Sequence, residues 1–155
     1  MASKSLTLSI HLLSERWLTQ RVVNPSTINP DSNLIVQKGS DHLPDDFIQF
    51  YSTVNGMQDF YPNEMDEEGF LFYPKEAVNA ASAEFEHGSL RNNNRLFIFA
   101  EYMHKSWWYG VMVNSSEDYM IGIIPHENLF KPITNSLSEF IELYLKDSFK
   151  LYDYS

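Results

Sequence analysis

Five histidines, at 11, 42, 87, 104 and 126, are the candidate metal ligands and general bases of this chain, and none is spaced as a catalytic set. No pair shows the four-residue helical spacing that a hydrolytic zinc site needs to put two imidazoles on one helix face. Glu84, Glu86 and His87 place three ligand-type side chains within four positions, which a solvated helix end explains at least as well as a metal. With no cysteine there is no thiol nucleophile, disulfide or zinc ribbon. The six glycines are dispersed, so no phosphate cradle forms, and no serine sits in a glycine-flanked nucleophile elbow. Asp45 and Asp46 are adjacent carboxylates that could exchange protons. Their place on the first turn of a helix, however, is where acids ordinarily satisfy free N–H groups and the helix dipole. The pattern predicts a protein that is not an enzyme and needs neither metal nor cofactor.

Charge is the more informative feature. Between Lys38 and Lys75 there is no lysine or arginine, yet the stretch carries Asp41, Asp45, Asp46, Asp59, Glu64, Asp66, Glu67 and Glu68. Much of the net charge of −10, from 11 basic and 21 acidic residues, is therefore concentrated there. The loop at 63–68 lacks the alternating oxygen ligands and closing glutamate of a calcium loop. A surface of one sign repels itself, and it is useful where a partner of opposite sign is to be attracted from a distance. The expected ligand is a basic protein. Nucleic acid and anionic membranes are excluded as direct partners, because both require clustered Lys and Arg. The candidate contact residues are Asp45, Asp46, Asp59, Tyr61, Glu64, Asp66, Glu67 and Glu68, with Glu101, Trp107 and Trp108 from a second cluster at 101–109. Adjacent tryptophans in a strand point to opposite faces, so at least one is expected in the core and the other is a candidate interface anchor.

Several elements must position these residues. An amphipathic helix is predicted at about 8–20, followed by a turn-rich loop over 24–42, in which Leu34, Ile35 and Val36 form a short edge strand or a plug. Pro44 suits a first helical position, and Gly56 a left-handed stop. Phe47, Phe50, Tyr51 and Val54 make one buried stripe between them. Short aromatic segments at 60–61 and 69–72 flank the acidic loop, and Pro74 opens a weaker helix at about 75–85. The runs 96–100, 107–113 and 119–124 are strands, the last two apolar on both sides and hence central. Ser136 and Glu139 form a capping box that opens a final helix with Leu137, Phe140, Ile141, Tyr144 and Leu145 on one face. The expected fold is α+β: a single domain over 1–155 with an antiparallel-dominated sheet packed against helices. With 15% aromatic and 43% apolar residues the chain can build a core. No signal peptide or membrane-length apolar run is present, which predicts a soluble, cytoplasmic protein, monomeric or weakly dimeric.

The order of these motifs resembles the SUKH superfamily, the Smi/Knr-type domain. Leu43 and Pro44 open a short aromatic helix that runs through Phe47, Phe50 and Tyr51 to Asn55 and Gly56. A strand leads into a short helix over 70–77, and Ile98 to Tyr102 is similar to that family's Phe-Ala-Asp strand end, with Glu101 where aspartate is commoner. A Trp/Tyr strand at 108–111 and the closing helix complete a likeness over roughly residues 40–146; residues 1–40, a helix and a loop, lie outside it. The resemblance implies a single α+β domain. It also implies, for many bacterial members, an immunity protein that binds and neutralises a cognate toxin, often a nuclease. Nuclease toxins need basic surfaces to hold nucleic acid, which agrees with the charge argument. The alternative, suggested by eukaryotic relatives, is an intracellular scaffold or regulatory interaction domain. A third reading is a small-ligand pocket lined by the aromatic residues of the sheet.

Overall fold

A computed structural model describes residues 2–20, 43–54, 70–73, 75, 78–103 and 105–152. Among them, six strands form one antiparallel sheet with helices packed against it, the α+β architecture expected from the sequence.

Helix α1 (Ala2–Gln20) begins earlier than its predicted start. Leu6, Ile10, Leu13 and Trp17, three or four residues apart, fall on one face and are all buried, so the apolar period runs through the first turns as well. Helix α2 (Asp45–Thr53) follows Pro44, whose carbonyl accepts the N–H groups of Phe47 and Ile48 at 2.9 and 3.1 Å. Pro44 is the residue before the helix rather than its first member, with an extended backbone (φ −64°, ψ 157°). Phe47, Phe50, Tyr51 and Val54 are buried as the stripe predicts. The helix stops at Thr53, where β-branched Val54 turns extended (φ −142°) and donates its N–H to Phe50 O. Gly56, the predicted stop, lies outside the described residues, as do the segments at 34–36 and 60–61.

Strand β1 (Phe70–Phe72) pairs with β3 (Leu96–Tyr102), and the two-residue β2 (Asn79–Ala80) pairs with the same edge of β3 nearer its start. Of the predicted helix over 75–85, the described residues 78–85 thereby keep only the single turn α3 (Ala81–Glu84). Residues 79–80 instead satisfy edge N–H and C=O groups of β3 that β1 does not reach, which outweighs a short helix of weak period. From β3 the chain meanders through β4 (Trp107–Val113), β5 (Tyr119–His126) and β6 (Leu129–Thr134). Strand β6 is missing from the sequence reading, and it contains Pro132, a residue that disfavours strand interiors. It is tolerated here because β6 is an outer strand of the sheet.

Pairing between β3 and β4 steps from Ile98–Gly110 to Ala100–Tyr109, so Phe99 and Ala100 together oppose Tyr109. This bulge shifts the alternation of β3 by one position. Before it, Leu96 and Ile98 face the α3 side; beyond it, Tyr102 joins the opposite side and Glu101 the α3 side.

Helix α4 (Leu137–Leu145) lies with α1 and α2 on one face of the sheet, over Phe70, Phe72, Phe99, Tyr109, Ile121 and Ile123. Buried Ser9 of α1 and Ser138 of α4 meet at 3.1 Å between their hydroxyls, small side chains that let the two helices approach closely. The other face is covered by Tyr73, Ala81, Phe85 and Leu90, packed on Leu96, Ile98 and Ile124. Strands β4 and β5 are thus central and covered on both sides, as their composition predicts.

The capping box at Ser136 is present with one addition. Ser136 Oγ accepts the Glu139 N–H at 3.1 Å, while Glu139 does not return directly to the Ser136 backbone. Thr134 Oγ1 stands between them, accepting the Ser136 N–H at 3.1 Å and donating its own proton to Glu139 Oε1.

Candidate functional site

Of the predicted contact residues, Asp59, Tyr61, Glu64, Asp66, Glu67 and Glu68 lie outside the described residues. The other five fall at two separate places. Asp45 and Asp46 occupy the first turn of α2, at the sheet end where β4 turns into β5. The exposed Asp45 donates its backbone N–H to Ser116 O in that turn at 2.9 Å. Asp46, half-buried, accepts the hydroxyl proton of Tyr119, and the same Tyr119 oxygen accepts the Leu137 N–H at 2.8 Å. Burial, reinforced by the hydrogen bond to the Asp46 carboxylate, pushes the Tyr119 phenol well above the usual tyrosine range and keeps it a donor. Asp46 thus serves the fold, while Asp45 faces solvent.

Glu101 requires a correction. It was expected as a surface acid available to a partner, but it is only 7% exposed. The bulge at Phe99 turns it to the α3 side, where Tyr73 donates to Glu101 Oε1 at 2.8 Å. Burial in the first place, and then the Glu101 charge, hold the Tyr73 phenol far above its ordinary value. A carboxylate that has left water must have such a donor, and this one is engaged within the molecule. Beside it, Glu84 accepts Asn79 Nδ2 at 3.2 Å and pairs with Lys105 Nζ at 3.0 Å. Lys105 stands on the β3–β4 turn with left-handed backbone (φ 67°), as does Met103 (φ 49°). Glu84 is therefore committed to Lys105 and Asn79, and among the described residues no three His, Asp or Glu side chains are placed to hold a metal ion.

Trp107 and Trp108 do point to opposite faces, and both are half-buried. Trp107 stacks on Tyr102, its cross-strand partner, with ring centroids 4.5 Å apart and planes 18° from parallel. Its Nε1 donates to Tyr109 Oη at 3.0 Å, and Tyr109 in turn donates to Leu151 O, so the indole is fixed in orientation. Trp108, on the α3 side, meets the Phe85 ring edge-on at 4.9 Å, and its buried Nε1 has no partner among the described residues.

Strand β4 separates the tryptophans from the acids. Its seven residues span about 20 Å from Trp107 to Val113, beside the turn that touches Asp45. The five described candidates consequently do not form one patch. Each end nevertheless gains a neighbour that sequence reading passed over. Glu117 and Asp118, read only as turn residues, are exposed in the turn that contacts Asp45. At the other end Phe70 pairs with Tyr102, two residues after Glu68 in the chain. That second juxtaposition is set by strand pairing and has no local sequence signal.

Among the described residues no helix is long and apolar enough to cross a membrane. Comparison with protein-family models, with curated proteins and with solved structures gives no match to this chain.

Proposed function

We propose that this chain is a non-enzymatic SUKH-type immunity protein, acting in the cytoplasm, that binds and neutralises a basic toxin domain, a nuclease. The observation that carries the reading is compositional: residues 39–74 hold eight acids and no lysine or arginine in a chain of net charge −10. The α+β fold agrees with the single α+β domain that the resemblance implies. Two features of that fold support the reading further. Exposed Asp45 adjoins Glu117 and Asp118, extending the acidic character to a second segment. The strand that leaves the acidic stretch begins at Phe70, beside the stacked and half-buried Tyr102 and Trp107. Acids set encounter rate and specificity for a cationic partner, and aromatic anchors set the lifetime of the complex. An interface of ordinary size would bury roughly 1,600 Å² in total.

The test is co-expression with the product of the adjacent gene, scored for rescue of growth, followed by binding kinetics on the purified pair. Reversing Glu64, Asp66, Glu67 and Glu68 to lysine is expected to slow association by tenfold or more at low salt, on the order of an electrostatic steering effect. It is also expected to flatten the salt dependence. Unchanged association after that reversal overturns the acidic surface as the recognition element.

A further inference from the structure

We draw no further inference here: the strongest candidate, the polar side-chain cluster on the α3 side of the sheet formed by buried Glu101 with Tyr73, the Glu84–Lys105 ion pair and the unpartnered Trp108 indole nitrogen, carries nothing, because Trp108 is only half-buried, both carboxylates already have partners within the molecule and no observation there points to a ligand.

Discussion

Asp46 and Tyr119, 73 residues apart in the chain, are joined by a hydrogen bond that ties the first turn of α2 to the start of β5. Because the Tyr119 oxygen also accepts the Leu137 N–H, one hydroxyl connects the beginnings of two helices through the edge of the core. Substituting Tyr119→Phe leaves a half-buried carboxylate and a helix N–H without their partner. It is expected to destabilise the protein by about 1–3 kcal/mol, read as a lower denaturation midpoint with an unchanged slope. A midpoint equal to that of the parent would show that the relay contributes nothing to folding.

Among the described residues, Tyr73, Tyr109, Tyr119 and Tyr152 have phenols raised above the ordinary value of 10.0, in each case chiefly by burial. A raised pKa in the folded state means that folding holds on to a proton that the unfolded chain releases near pH 10. The stabilisation is therefore complete below that pH and is lost as pH climbs through the folded values. Stability should be flat in this respect at neutral pH and fall steeply above about pH 10. Tyrosinate absorbance is expected to rise in two stages, with the buried group ionising only together with loss of tertiary structure. A single smooth titration of all nine tyrosines would contradict the burial argument.

Glu101 tests whether a buried acid belongs to the fold or to a partner. Glu101→Gln keeps an oxygen acceptor for Tyr73 and nearly the same shape, so stability should change by less than about 1 kcal/mol and partner association should be untouched. Glu101→Leu strands the Tyr73 hydroxyl and is expected to cost about 1–3 kcal/mol. If the glutamine variant folds normally but loses partner binding, the carboxylate charge acts in recognition despite its burial.

The cap of α4 has a relayed geometry that a double-mutant cycle can detect. Ser136→Ala should cost about 1 kcal/mol through loss of the acceptor for the Glu139 N–H. Thr134→Val should cost a similar amount, by opening the link between the Ser136 N–H and the Glu139 carboxylate. Since both act on one network, the double variant is expected to fall short of the sum by 0.5 kcal/mol or more, on the order of coupling between groups in contact. Simple additivity would mean that Thr134 and Ser136 work independently.

Elements whose evidence is local were readable from the chain. Strands β3, β4 and β5 announce themselves by β-branched and aromatic runs, α2 by its stripe from Phe47 to Val54, and α4 by the Ser136 cap. Where tertiary pairing decides, reading failed. Residues 79–80 became strand because an edge of β3 had to be covered, and β6 forms because an outer strand can accommodate Pro132. The site was legible as a composition more than as a place. Strict alternation along β3 gives no means of foreseeing that Glu101 turns to the α3 side, since that depends on the extra residue opposite Tyr109. Nor does the chain reveal locally that Asp46 is bound to Tyr119, or that Asp45 sits beside the turn carrying Glu117 and Asp118.

That extra residue makes β3 a strand with inverted parity. Every position from Ala100 onward takes the opposite sense to the one it would have by counting from Leu96. Pairing Phe99 instead of Ala100 with Tyr109, with no residue removed, would restore even counting and exchange Glu101 with Tyr102. A carboxylate would then be driven against Phe70 and Trp107, and a phenol displaced toward Trp108. Connections between strands can change in length at little expense to the core, whereas β3 must leave Phe99 as the extra residue if each flank is to hold the side chains it holds.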